Sequence, residues 1–66
     1  MNITLNGRSE ELKAHYTLKK IINQFCVDQR RVIAEVNGEV IKPVLWDNTA
    51  IKDGDTVELV NLVGGG

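Results

Sequence analysis

The chain ends in Gly64-Gly65-Gly66, directly after the apolar run Val60-Asn61-Leu62-Val63. The reactive group at such an end is the carboxylate of Gly66, ionised at neutral pH and a poor acyl donor as it stands. If its oxygen attacks the α-phosphate of ATP, the product is an acyl-adenylate, a mixed anhydride whose carbonyl accepts a nucleophile. Glycine has no Cβ, so Gly64 and Gly65 can lie against the walls of a narrow tunnel. The four residues beyond Leu62 span at most roughly 13 Å when extended, enough to enter another protein's active site while the folded body stays outside. Taken alone, the same glycines are equally consistent with a frayed terminus.

Other reactive side chains form no catalytic set. His15 is the only histidine and Cys26 the only cysteine, and they stand eleven residues apart, so they build neither a metal site nor a nucleophile-base pair with an orienting third group. His15 reads as a surface residue before a helix and Cys26 as a small hydrophobe at the edge of the core. Asp47, Asp53 and Asp55 fall around turns, where short carboxylates cap backbone groups rather than act as an acid/base pair. The glycine tail is no phosphate loop either, because no helix follows it to offer its N-terminus to an anion. The expected role is that of a substrate for another protein's active site, not of an enzyme, with no metal and no tightly bound cofactor.

The elements that would carry the tail follow from periodicity. Met1 to Leu5 alternates, with Ile3 and Leu5 on one face, and Asn6-Gly7 supplies a tight hairpin turn into a more polar strand over Ser9 to Lys13. Thr17 is the expected N-cap of a helix running to residue 26, in which Leu18, Ile21, Ile22 and Phe25 share one buried face. Tyr16 could pack on Ile21 as a hydrophobic staple. Lys19 and Lys20 occupy the first turn, against the helix dipole, and read as a solvated face. Val32 to Val36, the turn Asn37-Gly38 and Glu39 to Ile41 form a second hairpin that Pro43 ends. Val44-Leu45-Trp46 is expected to turn over the open end of the core. Asp53-Gly54-Asp55 turns into a last strand from Thr56 to Leu62, giving the order β-β-α-β-β-β.

One helix cannot cover both faces of such a sheet. In the last strand Val57 and Leu59 fall on one side and Glu58, Val60 and Leu62 on the other. In the third strand Ala34 and Val36 face in, leaving Ile33 and Glu35 out. Ile33, Val60, Leu62 and Val63 are therefore the candidate partner-binding face, an apolar patch leading to the tail.

Composition narrows the setting. Sixty-six residues, 42 % of them hydrophobic and few of them aromatic, make a single small domain with an aliphatic core and no room for a large cleft. A net charge of −1 with scattered Lys and Arg gives no field for nucleic acid or an anionic membrane. One cysteine excludes an internal disulfide framework, and no signal sequence or membrane span is read, so the expected compartment is the cytoplasm.

Several segments in their order resemble the β-grasp sulfur carriers, the ubiquitin-like ThiS/MoaD family, along the whole chain. They are Met-Asn-Ile-Thr-Leu-Asn-Gly at the start, Val36-Asn37-Gly38-Glu39, Pro43 with Trp46, Asp53-Gly54-Asp55, and Val63-Gly64-Gly65-Gly66. The resemblance implies an α+β β-grasp fold, a mixed four- to five-stranded sheet with parallel first and last strands and one helix packed across one face. It places residues 1–66 in one domain with 63–66 as a flexible tail. It implies adenylation of Gly66 by a ThiF-like adenylyltransferase using ATP, conversion to a thiocarboxylate by a sulfur donor protein, and delivery of sulfur to a ThiG-like thiazole synthase for thiamin. The carrier alone is expected to be a monomer. A MoaD-like role in molybdopterin synthesis ranks second within the family, since such carriers are usually longer and dock into a partner subunit. Outside the family, the competing reading is a ubiquitin-like interaction module with an incidental tail.

Overall fold

The computed structural model describes residues 1–13, 15–26 and 28–62. Alternation in the first segment gives β1 (Asn2–Leu5), which buries Ile3 and Leu5 and exposes Asn2 and Thr4. Asn6 and Gly7 take positive φ of 50° and 81°, the turn whose twist matches a two-residue hairpin. The chain returns as β2 (Arg8–Glu11), with Leu5 opposite Arg8 and Asn2 opposite Glu11. This strand stops two residues earlier than its sequence suggests, and the chain then bends to bury Leu12 in the core.

Helix α1 (Leu18–Phe25) starts where expected, with the Thr17 hydroxyl accepting from the Lys20 N–H. Leu18, Ile21 and Ile22 have no exposed surface, but Phe25 is 37 % exposed. The helix ends at Phe25 after eight residues. Its last apolar position therefore overhangs the sheet and lines a shallow groove with Leu5, Asn6, Arg8 and Glu10. The two lysines of the first turn are not simply solvated. Lys19 Nζ sits 5.5 Å from the Trp46 ring and Lys20 Nζ 4.7 Å from the Tyr16 ring, and such cation–π contacts offset the unfavourable dipole position.

The second hairpin is β4 (Val32–Val36) and β5 (Glu39–Ile41) around Asn37-Gly38, with Glu35 opposite Val40. Pro43–Asn48 then forms a 3₁₀ turn that sends Trp46 into the core, 4 % exposed, its Nε1–H donating to the Ile41 carbonyl. Val44 and Leu45 point to solvent at 79 % and 49 % exposure, so only Trp46 closes this end of the core. Two short strands escaped the sequence pattern, β3 (Tyr16–Thr17) and β6 (Ala50–Ile51), which pair as a separate antiparallel ribbon. Tyr16 is held by this ribbon and by its hydroxyl, which donates to Gln24.

Strand β7 (Thr56–Asn61) is the middle of the five-stranded sheet, whose order is β2-β1-β7-β4-β5. It runs parallel to β1 and antiparallel to β4. Both Asn-Gly turns reach across to it. Asn6 Oδ1 accepts from the Leu59 N–H at 2.7 Å, and Asn37 Oδ1 accepts from the Thr56 N–H at 2.9 Å. The aspartates behave as turn caps, since Asp53 accepts from the Asn2 N–H and Asp55 from the Lys52 N–H. Val57 and Leu59 face α1 and complete an aliphatic core with Ile3, Leu5, Leu12, Ala34 and Ile51. This is the β-grasp architecture, a mixed sheet with one helix across one face.

Two stability tests follow from these positions. Ile21→Ala removes a fully enclosed side chain and is expected to cost about 2–5 kcal/mol, whereas Phe25→Ala costs only about 1–2 kcal/mol, both read from urea unfolding. Asn6→Gly keeps a residue suited to positive φ but deletes the acceptor for Leu59, and should lower stability by about 1–3 kcal/mol in the same measurement.

Candidate functional site

The segment expected to carry the chemistry begins where β7 leaves the sheet. Val63, Gly64, Gly65 and Gly66 lie outside the described residues, and the last position described is Leu62. Its root is well held. The Leu62 N–H donates to the Arg31 carbonyl at 2.7 Å, and the Asn61 amide donates to the Asp28 carbonyl at 2.9 Å. Asn61 also meets the Cys26 thiol, its Nδ2 at 3.4 Å from Sγ. Three bonds thus tie the exit of the central strand to the turn that connects α1 with β4.

That turn is itself braced. Asp28 caps the 3₁₀ turn Gln29–Arg31 by accepting from the Arg30 N–H and forms an ion pair with the Arg30 guanidinium at 3.2 Å. The hydrogen bond from the Arg30 side chain, followed by that from its backbone, holds the Asp28 carboxyl below its ordinary value. A lowered value favours the folded state above the usual carboxylate range, and the contribution fades as acid protonates the group. The pair is solvent-exposed, so this is a local brace and not a major source of stability.

The apolar residues picked out by alternation come together on the face that α1 leaves open. Ile33 and Val60 are directly opposite each other across β4 and β7, 38 % and 46 % exposed, and Leu62 continues the row at 51 %. Val40, 59 % exposed on β5, belongs beside them because it is paired with Glu35. The sequence reading missed it, although the two-residue turn at Asn37-Gly38 fixes this register and would have placed it. One register step along from Ile33 and Val60 on the same face, Glu35 stands opposite Glu58.

Neither of the remaining reactive side chains joins this surface as a catalyst. His15 is exposed and takes a left-handed φ of 70°. Cys26 is half-buried against the core, its thiol donating to the Asp28 carbonyl at 3.4 Å. Among the described residues no group of three His, Cys, Asp or Glu could hold a metal ion, and no helix is long and apolar enough to cross a membrane. The described surface presents a pinned strand exit beside an exposed apolar strip.

Comparison with known proteins agrees with this geometry. The ThiS family model matches residues 3–66. The crystal structure of a thiamine biosynthesis protein (ThiS) from Geobacter metallireducens is 35 % identical, with each chain covered completely and a TM-score of 0.84. The solution structure of a thiamine biosynthesis protein from the same organism, also 35 % identical, covers all of this chain and 88 % of the other at a TM-score of 0.81. A thiazole synthase of Paramagnetospirillum magneticum is 32 % identical over 66 residues, all of this chain but only 20 % of the length of that synthase. The uncharacterised protein ycf40 of Porphyra purpurea is 29 % identical over 66 residues and is covered over 93 % of its length. With the family model matching residues 3–66 and the fold shared with the Geobacter protein over the whole chain, the chain belongs to the ThiS family.

Proposed function

We propose that this protein is a sulfur carrier that acts as a co-substrate, not as a catalyst. The observation that carries the reading is the family match, which extends over residues 3–66 and so includes the terminal glycines. The carboxylate of Gly66 attacks the α-phosphate of ATP in the active site of a ThiF-like adenylyltransferase, and pyrophosphate leaves. A persulfide sulfur of a donor protein then attacks the carbonyl and AMP leaves, and a thiol cleaves the S–S bond of the resulting acyl disulfide, so that the carbonyl bears sulfur in place of one oxygen and a disulfide remains on the donor side. ATP is bound by the activating enzyme, and the carrier holds no cofactor of its own.

The tail needs only to be narrow and long enough. Gly64 and Gly65 permit threading because a side chain there would meet the wall of the partner's tunnel. Ile33, Val60 and Leu62 form the face on which the partner rests while the tail is inserted. A thiazole synthase that contains a segment similar to this whole chain supports delivery of the sulfur to a ThiG-like synthase, and hence a role in thiamin rather than molybdopterin synthesis. The setting is the cytoplasm and the free carrier is a monomeric single domain.

The decisive measurement is intact mass after incubation with a ThiF-like adenylyltransferase, ATP and a sulfur source. The chain should become about 16 Da heavier, the difference between oxygen and sulfur, and a variant lacking Gly65-Gly66 should not. No gain in the full chain, or the same gain in the shortened one, refutes the carrier role. Gly65→Val should leave the thermal midpoint unchanged and abolish the mass gain, because the valine side chain blocks entry to the partner's tunnel.

A further inference from the structure

Asn61 is the last residue of β7 and an uncommon choice there, since asparagine is depleted in strands. On the two-residue alternation it follows Val57 and Leu59 onto the helix side, but α1 has already ended at Phe25 and Asn61 stays exposed. Its amide is nevertheless engaged. Nδ2 donates to the Asp28 carbonyl at 2.9 Å and lies 3.4 Å from the thiol of Cys26, the C-cap of the helix. The next residue is held too, by the Leu62 N–H donating to the Arg31 carbonyl at 2.7 Å. Both acceptors, the carbonyls of Asp28 and Arg31, belong to one turn, which the Asp28 carboxylate caps by accepting from the Arg30 N–H. A single bond would fix a point and leave the chain free to pivot about it. Bonds at two neighbouring residues, reaching one braced base, fix a direction.

We infer that Asn61 is a positioning residue for adenylation: it aims the end of β7, and its loss lets the chain pivot where it leaves the sheet. The inference rests on the carrier reading and adds to it a side chain, outside the glycines, on which the rate of the reaction depends. Gly66 stands four residues beyond Leu62 in the sequence, at most roughly 13 Å along an extended chain. At that reach a swing of about 30° at Leu62 carries the end aside by about 7 Å, whereas a carboxylate oxygen must come within about 3.5 Å of the phosphorus it attacks. The aim of the strand thus sets how often a docked carrier is ready to react. Global stability depends on it less, because the bonds of an exposed side chain exchange readily with water. The Asn61 bonds are of that kind.

The test uses the full chain with ATP and an excess of a ThiF-like adenylyltransferase. Single-turnover release of pyrophosphate, followed as the enzyme concentration is raised, gives the limiting rate and the half-saturating concentration separately. Asn61→Ala and Asn61→Asp, the second of the same shape but unable to donate to a carbonyl, are each expected to lower the limiting rate about fivefold or more. The half-saturating concentration should stay the same, since the docking face is untouched. Exchange of the Leu62 amide with D2O should quicken in both variants, while the thermal midpoint falls far less than in Ile21→Ala. An unchanged limiting rate in either variant would overturn the inference, and if the unaltered chain still gains the sulfur mass the carrier reading stands without it. A rise in half-saturating concentration as large as the fall in rate would make Asn61 a contact of the partner, and a midpoint as low as that of Ile21→Ala would make it a structural residue; each overturns the inference. Leu62 exchange that does not change while the reaction slows overturns it as well. Failure of the unaltered chain to release pyrophosphate overturns it together with the carrier reading.

Discussion

The structure depends on holding one strand, β7, from both sides. Its parallel neighbour β1 comes from the other end of the sequence and its antiparallel neighbour β4 from the middle. Every buried residue of the sheet is either on β7 or packed beside it, and the chain that carries the glycines leaves from its end. Parallel pairing alone is short here, with Thr4 opposite Thr56 and Leu5 opposite Val57. Asn6 extends it, using its side chain to satisfy the Leu59 amide after its own backbone has turned away into the hairpin. Asn37 does the same at the start of the strand. One residue type meets two needs, tolerance of positive φ and an amide carbonyl that reaches a neighbouring strand.

A small aliphatic core on one side of the sheet leaves the other side exposed. A chain of this size has one helix to spend, and α1 covers only the face of Leu5, Ala34, Val57 and Leu59. The opposite face keeps Ile33, Val60 and Leu62 in water, where they add little to stability. The division of labour follows from the two-residue period of the strands, since each position that points away from the core points toward whatever docks outside. Buried and exposed apolar positions thereby alternate along the same two strands.

Much of this was legible in the sequence, for identifiable reasons. Both hairpins could be read because Asn-Gly fixes turn type and register together, and the alternation of β7 correctly separated Val57 and Leu59 from Val60 and Leu62. Thr17 was recognisable as a cap. Phe25 misled because helical spacing reports which face a residue shares and not where the sheet beneath it ends. The ribbon of β3 and β6 was invisible, since two residues contain no period. The reach of Asn6 and Asn37 to β7 could not be read locally either, because it joins positions brought near only by the fold. The reading of the tail falls on residues outside those described, and its sulfur chemistry rests on resemblance to a family.

The bond from Leu59 to Asn6 joins residues 53 apart in sequence. Such a contact closes nearly the whole chain into a loop, so it forms only once distant segments have met, and topologies rich in such contacts assemble slowly and as a unit. During synthesis β7 emerges after all its neighbours, and until it inserts between β1 and β4 the opposition of Ile33 to Val60 does not exist. An unfolded chain therefore has the glycines but not the apolar strip. Completion of the fold thus precedes the assembly of the exposed apolar strip, which exists only in the finished sheet.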